Sequence, residues 1–330
     1  MSSPPHPLIR PLRPLLCLLF VCLAPIITHA DETSAPATPL RIVSLNPSLT
    51  SILIALEAGD RLVGVDDFSA RLEPTVADLP RVGGLFNPSL EAVVSLGPDV
   101  VVLVPSVEQR DFRARLEGLG VRVEVFRNFL FAEVLSNIEQ LGALVGRESQ
   151  AKARVAAIEA RRRAFSQAAL ALRGLGREPP GVVLVLQRDP LFVVGSGNFI
   201  DEMLASIGVR NLGSEFQDPY PRVSMEWLIA AAPDVLVDLG PNAGSSLDYW
   251  SQWGAIPAVA NERLVALDPE FISMPGPHLD DTLDILARAI WGEEIESMLA
   301  GGRAADPLPP SPEPEEIVTP GQPSVPGEDS

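Results

Sequence analysis

The first half of the chain alternates short runs of β-branched apolar residues with segments of helical periodicity. The apolar runs have the length and composition of buried strands and lie at residues 41–45, 62–65, 100–104 and 121–126. Between them, apolar positions recur three and four residues apart, which predicts helices at 47–57, 89–96, 108–119 and 132–145. This alternation predicts a mostly parallel sheet covered by helices.

The same pattern resumes after Pro179, Pro180 and Gly181. Strands are predicted at 182–186, 235–238 and 264–267, and helices at 200–207, 225–232 and 279–290. The chain is therefore expected to contain two α/β lobes, at residues 40–147 and 176–300.

A long helix is predicted between the two lobes, at residues 148–175. The stretch from Glu148 to Leu172 has no glycine or proline, is rich in alanine and arginine, and places apolar residues at helical spacing. Twenty-five residues at 1.5 Å each give a rod of roughly 37 Å. A flexible linker would be rich in glycine and serine, so we expect a stiff connection that allows the lobes little closure.

A sequence repeat relates the two lobes. Ser89 and Glu91 are followed by Pro98-Asp99, and Ser224 and Glu226 are followed by Pro233-Asp234 at the same spacing. Each copy predicts a serine-capped helix with glutamate in its first turn, a Pro-Asp stop and a strand. The lobes are thus expected to be pseudo-equivalent and to face each other across a cleft.

The first thirty residues have the composition of a secretory signal peptide. Basic Arg10 and Arg13 precede an apolar run that ends at Ile27, and small residues follow up to Ala30. The run is shorter than the ~20 residues that span a bilayer, although a retained anchor stays open, as does lipidation at Cys22. We expect cleavage after residue 30, a short linker at 31–39, a mature chain without thiols and a location in the periplasm.

The C-terminal residues 301–330 are rich in proline and glutamate and almost free of apolar side chains. Such a segment cannot bury enough surface to offset the entropy of ordering, so a disordered tail is predicted. The formal net charge of the chain is −18. A chain this acidic repels polyphosphate, which argues against nucleic acid as a partner.

Little in the sequence points to catalysis. After removal of the signal peptide, His278 is the one histidine and no cysteine remains. Gly195-Ser196-Gly197 lacks the lysine of a phosphate loop, and the neighbouring carboxylates Asp66-Asp67 and Asp280-Asp281 are expected to be solvated loop or helix-start charges. We expect no enzyme, no resident cofactor and no protein metal site, with an exported metal-dependent hydrolase as the distant alternative.

Aromatic residues recur instead at the predicted ends of strands and loops. They are Phe68, Phe86, Phe192, Tyr220 and Phe271. Because such loops converge where ligands bind to parallel sheets, this pattern predicts a broad apolar and aromatic cleft.

Four stretches of the chain together resemble the periplasmic binding proteins with a helical backbone, which serve ABC importers of cobalamin, haem and ferric siderophores. The similarity extends from about Arg41 to Ile290. The stretches are residues 41–50, 79–84, 87–99 and 223–234.

The resemblance implies two rigid lobes, a connecting helix and a ligand held in the cleft between them. It also implies that a surface glutamate on each lobe meets arginines of the membrane permease, and Glu91 and Glu226 occupy those positions. A small-molecule ligand, an ABC permease in the inner membrane and a monomeric state are the partners and assembly it implies. Its expected ligand-contacting residues are Asn46, Pro47, Phe68, Leu85, Phe86, Phe192, Tyr220, Phe271 and His278.

Within the family the chain is most similar to the cobalamin-binding branch, so cobalamin or a related corrinoid is the first ligand expected. Leu85 and Val104 stand where tryptophan is usual in that branch, which leaves a ferric siderophore or haem open. For haem, His278 is the imidazole candidate, and Tyr220 and Tyr249 are the phenolate candidates.

Overall fold

The computed structural model describes residues 39–106, 110–240 and 244–300, and from Leu40 onward these form one structural unit. The predicted signal peptide with Cys17 and Cys22, nearly all of the predicted linker, and the predicted tail lie outside the described residues. Across the part that is described, no helix combines the length and the apolar composition needed to cross a bilayer.

The first sheet has four strands, and all of its pairings are parallel. Its order is β2-β1-β3-β4. The strands are β1 (Ile42–Ser44), β2 (Leu62–Val65), β3 (Val100–Leu103) and β4 (Arg122–Val125). The helices of this part are α1 (Pro47–Ala55), α2 (Asp67–Leu72), α3 (Leu90–Ser95), α4 (Arg110–Gly118) and α5 (Phe131–Val145). The predicted parallel sheet is confirmed, and α2 is an element that the sequence pattern did not predict.

Helix α6 (Glu148–Gly174) confirms the predicted long helix, with 27 residues. Ile158, Phe165 and Leu172 recur at intervals of seven residues and are buried along one side of it. Their side chains belong to one apolar cluster that also contains residues of both sheets. The helix is therefore packed into the core along its length, as a rigid connector requires.

The second sheet has five strands and is mixed. Its strands are β5 (Gly181–Arg188), β6 (Leu191–Val193), β7 (Arg210–Asn211), β8 (Val235–Asp238) and β9 (Leu264–Ala266). The order is β6-β5-β8-β9 with β7 beside β5, and only β6 among these strands pairs antiparallel. The expected parallel arrangement thus holds except for β6, which turns back on β5 directly after Asp189-Pro190.

Seven helices of the described chain follow α6. They are α7 (Phe199–Ser206), α8 (Met225–Ala231), α9 (Gly244–Trp250), α10 (Pro257–Ala260), α11 (Pro269–Ile272), α12 (Leu279–Trp291) and α13 (Glu293–Ala300). We refer below to residues 39–147 as the N-terminal half and to residues 175–300 as the C-terminal half.

The predicted repeat has a structural counterpart in hydrogen bonds. Asp99 Oδ2 accepts a hydrogen bond of 2.8 Å from the backbone N–H of Arg41, directly before β1. Asp234 Oδ2 accepts one of 2.7 Å from Gly181, the first residue of β5. In each half the aspartate of the Pro-Asp pair therefore fixes the start of the neighbouring parallel strand.

Candidate functional site

A cavity of about 390 Å³ is lined by residues of both halves of the chain. The N-terminal half contributes Asn46, Pro47, Ser48, Phe68, Arg71, Leu72, Leu85 and Asn128. The C-terminal half contributes Pro269, Glu270, Ser273, Met274 and Pro275. Its volume lies at the lower end of the ~300–1,000 Å³ range of small-molecule sites, so a large ligand would be only partly enclosed.

The start of α1 places Asn46 and Pro47 at the cavity. Asn46 follows β1, and its Oδ1 accepts a 2.9 Å hydrogen bond from the backbone N–H of Ser48, which caps the helix. Pro47 occupies the first helical position, where the missing N–H leaves no hydrogen bond unmade. The capping geometry therefore fixes the backbone of this edge of the cavity.

Phe68 is positioned by a buried carboxylate. Asp66 caps α2, and its Oδ1 accepts hydrogen bonds from the N–H groups of Phe68 at 2.9 Å and Ser69 at 3.0 Å. The Ser69 hydroxyl donates to the same carboxylate. Burial raises the pKa of Asp66, and these hydrogen bonds oppose that effect only in part. The expectation that Asp66 is a solvated charge is wrong, since its side chain is fully buried.

A chain of buried hydroxyls connects Asp66 to the start of α1. Ser69 Oγ lies 2.9 Å from Thr50 Oγ1, and Thr50 donates to Ser44 Oγ at 2.8 Å. Thr50 belongs to α1, so the network joins the helix that begins beside Asn46 to the helix that carries Phe68. Two edges of the cavity are thus held to each other by polar contacts without water access.

The lining is mainly apolar, and among its described residues Glu270 alone carries a carboxylate. Of the residues that the structure describes, no histidine, cysteine or tyrosine lines this cavity. Nor does any cluster of three or more His, Cys, Asp or Glu side chains suited to a metal ion occur among the described residues. The thioether of Met274 is the softest donor present at the cavity.

The three candidate iron ligands lie elsewhere. His278 precedes α12, where its Nδ1 is 3.4 Å from Asp281 Oδ2 and lowers the pKa of that carboxyl group by hydrogen bonding. The Tyr220 ring packs against Phe129 with a centroid separation of 6.3 Å. The Tyr249 hydroxyl lies 3.4 Å from the carbonyl oxygen of Arg188.

The predicted contact residues divide into two groups. Four of them line the cavity: Asn46, Pro47, Phe68 and Leu85. The other five, Phe86, Phe192, Tyr220, Phe271 and His278, lie outside its lining. Val104, the second position compared with tryptophan, is also outside the lining and packs against the main apolar cluster.

Several lining residues were missed by the sequence analysis. Arg71, Asn128, Glu270 and Met274 have no motif of their own. Arg71 follows Phe68 by three residues, so a correct prediction of α2 would have placed both on one face of that helix. Glu270 could not have been paired with Arg71 from the sequence, because 199 positions separate them.

Glu91 and Glu226 occupy equivalent positions outside the cavity. Each lies in the first turn of its helix, α3 or α8, and is exposed. Ser89 Oγ accepts a hydrogen bond from Ala92 N–H, and Ser224 Oγ accepts one from Trp227 N–H, each at 3.2 Å. The predicted serine caps are confirmed. A hydrogen bond from the Ser224 side chain lowers the pKa of Glu226.

Comparison with known proteins agrees with this architecture. A vitamin B12-binding protein of Vibrio campbellii is 27% identical over 261 residues, which cover 77% of this chain and 90% of the relative. The uncharacterized ABC transporter substrate-binding lipoprotein YvrC of Bacillus subtilis is 28% identical over 270 residues, covering 81% and 84%. The crystal structure of a periplasmic haem-binding protein from Pseudomonas aeruginosa superposes with a TM-score of 0.66 at 29% identity, covering 77% and 93%.

The sequence model that describes periplasmic binding proteins matches residues 42–271, which is more than half of the chain. This match contains the strands of both sheets and the long helix α6. It also contains the cavity lining except Ser273, Met274 and Pro275, which follow it closely. The chain belongs to the periplasmic binding protein family.

Proposed function

We propose that this protein is the exported ligand-binding subunit of an ABC importer and that it captures a metal chelate in the cavity lined by both halves. The observation that carries the proposal is the lining itself, to which both halves contribute apolar side chains together with polar and charged ones. Within the described part of the chain, the lining has no histidine or cysteine to act as base or nucleophile. The arrangement supports binding and release of an unaltered ligand rather than catalysis.

Cobalamin or a related corrinoid is the ligand we propose first. Relatives named as vitamin B12-binding proteins support it, and so does the absence of imidazole, thiolate and phenolate groups from the described lining residues. Cobalamin brings both axial ligands of its metal, so the protein needs to supply none. A ferric siderophore, whose iron is already fully chelated, fits the same argument. Haem remains the alternative that the haem-binding structural relatives support.

The remaining parts of the proposal follow from the family. A binding subunit acts outside the cytoplasmic membrane, so we propose export by residues 1–30 and a periplasmic location. The partner is the membrane permease, met through Glu91 and Glu226. The protein would act as a monomer without a resident cofactor, since the chelate is its cargo.

Calorimetric titration of the purified protein with cyanocobalamin, hemin and a ferric siderophore tests the proposal. Phe68→Ala removes the aromatic side chain at the cavity and should weaken binding of the true ligand by about 30-fold, or about 2 kcal/mol. Leu119→Ala is the matched control, because Leu119 is exposed and lies outside the cavity lining.

Phe192→Ala extends the experiment beyond the cavity. Unchanged affinity in this variant would confine the contact surface to the cavity lining, whereas a loss like that of Phe68→Ala would show that the ligand also reaches β6. The proposed function would be overturned if none of the three chelates bound. It would also be overturned if a bound chelate were recovered in chemically altered form.

A further inference from the structure

Arg71 is the one cationic side chain among the described residues that line the cavity, and it is paired across the cavity with an acid from the other half. Its Nη1 lies 2.8 Å from Oε1 of Glu270. Arg71 belongs to the last turn of α2, and Glu270 belongs to α11. Among the ion pairs between described residues, this one alone joins the N-terminal half directly to the C-terminal half.

Both partners are held in position by capped helices. Asp66 fixes the start of α2, and the guanidinium carbon of Arg71 lies 5.2 Å from the centroid of the Phe68 ring. On the other side, Asp268 Oδ1 accepts a 2.8 Å hydrogen bond from the backbone N–H of Glu270. The guanidinium is therefore presented beside an aromatic face at the cavity before any ligand arrives.

The pair is poorly suited to a purely structural role. The side chains of Arg71 and Glu270 are 56% and 45% exposed, and ion pairs this exposed contribute little to stability. The chain as a whole carries a net charge of −18, which repels anionic ligands. A guanidinium at the cavity is thus a local exception, and Glu270 neutralises it when the cavity is empty.

We infer that Arg71 recognises an oxyanion carried by the ligand and that Glu270 occupies its place until the ligand binds. This inference rests on the proposed function and names the chemical class of its cargo: a chelate with a carboxylate or phosphate group. The planar guanidinium can form two parallel hydrogen bonds with either group. On binding, the oxyanion replaces the Glu270 carboxylate, which turns to solvent.

Matched pairs of probes test the exchange. Cyanocobalamin carries a phosphodiester that dicyanocobinamide lacks, and hemin carries two carboxylates that hemin dimethyl ester lacks. In the probe pair that binds, we expect Arg71→Gln to lower the affinity for the oxyanion-bearing probe by on the order of tenfold, as measured by calorimetry. The affinity for the probe without the oxyanion should be unchanged. Glu270→Gln should raise the affinity for the oxyanion-bearing probe, because the carboxylate that competes for Arg71 has been removed.

The opposite signs of the two substitutions separate exchange from a simple latch. If both variants shift affinity in the same direction, the pair only holds the halves together and the inference is overturned, although the proposed function stands. The inference also fails if a bound probe is insensitive to Arg71→Gln. If neither these probes nor the ferric siderophore binds the unmodified protein, the proposed function itself is overturned, and the inference with it.

Arg113→Gln serves as the matched control for charge. Arg113 forms an exposed pair with Glu117 on α4, outside the cavity lining, so its substitution should leave all affinities unchanged. Equal melting temperatures of the three variants show that each is folded, as expected for exposed side chains.

Discussion

Arg161 of α6 donates a hydrogen bond from Nε to Oδ1 of Asp284 in α12 over 2.7 Å. One turn earlier along α12, Asp280 pairs with Arg154 of α6, whose Nε also donates to the carbonyl of Pro277 at 2.6 Å. The arginines are seven residues apart and the aspartates four, so the pairs follow one face of each helix. Helix α6 is thereby fixed to the C-terminal half by charge as well as by its apolar side.

Asp284→Ala should destabilise the protein by about 3 kcal/mol. The side chains of Arg161 and Asp284 are only 10% and 16% exposed, so the substitution leaves a nearly buried guanidinium without its carboxylate. Denaturant unfolding provides the measurement. Glu117→Ala breaks the exposed pair with Arg113 and should cost less than about 0.5 kcal/mol. Equal losses in the two variants would contradict the structural role assigned to the Arg161–Asp284 pair.

Gly208 allows the close approach of α6 to the end of α7. Its φ is +73°, and a Cβ at this position would collide with Cβ of Ala169. Gly208→Ala should therefore lower the free energy of unfolding by about 3 kcal/mol, from backbone strain and overpacking together.

Gly176→Ala isolates the backbone contribution to that loss. Gly176 has a φ of +79° but no atom within 4 Å of the added Cβ, so we expect a loss of about 1 kcal/mol. If thermal or denaturant unfolding gave the same loss for both variants, close packing at Ala169 would not be the cause.

The buried Asp66 predicts a specific pH dependence. Its pKa is raised in the folded state, so between the unfolded and folded values the folded protein binds more protons and stability falls as pH rises. Asp66→Asn removes this titration but keeps the Oδ1 acceptor of the α2 cap. The stability of the variant relative to the original protein should therefore increase as pH rises through that window.

Asp238→Asn provides the comparison of opposite sign. Burial raises the pKa of Asp238, but hydrogen bonds from Ser246, Arg188, the Gly240 N–H and Trp250 outweigh it and the pKa is lowered. The stability that this carboxylate contributes is present above its unfolded pKa and is lost as pH falls through the folded pKa. Parallel pH profiles for the two variants, measured by denaturant unfolding, would contradict one of the two assignments, and the sign of the shared slope would show which.

The regular elements were predictable because each is specified by local pattern. Strands β1, β2, β3 and β8 are apolar runs, β4 alternates charged and apolar residues, and α6 has neither glycine nor proline within the stretch used to predict it. Strand β6 was missed because it has three residues and directly follows Asp189-Pro190, a turn signal that suggested no strand. The expected lobe boundaries at 147 and 176 remain predictions.

The site was predictable only where it coincides with element ends. Phe68 follows a predicted strand and lines the cavity, whereas Phe86, expected for the same kind of reason, does not, and Leu85 was expected only from the family resemblance. Helix α2 was missed although its cap is local, since Asp66 accepts hydrogen bonds from the N–H groups of Phe68 and Ser69 and from the Ser69 hydroxyl. The contact of Ser69 with Thr50 of α1 comes from the fold and could not be read from the sequence. The Arg71–Glu270 pair depends likewise on the approach of two halves.

Glu91 and Glu226 should be required for uptake but not for ligand binding. Both are exposed in first helical turns outside the cavity, so each could simply complement a helix dipole. Their equivalence in the two halves favours a shared role, which the matching Asp99 and Asp234 contacts support. A permease with two-fold symmetry would present arginines to both, and such pairs fix orientation more than they add affinity.

The decisive variant replaces both glutamates by alanine. Calorimetry should show unchanged ligand affinity and an unchanged melting temperature, while uptake by the reconstituted importer should be abolished. Glu117→Ala, an exposed helical glutamate outside these two positions, is the control and should support full uptake. Full uptake by the double variant would reduce Glu91 and Glu226 to ordinary helix-start charges. A loss of ligand affinity in the double variant would instead place Glu91 and Glu226 in the ligand site, because calorimetry measures binding without the permease.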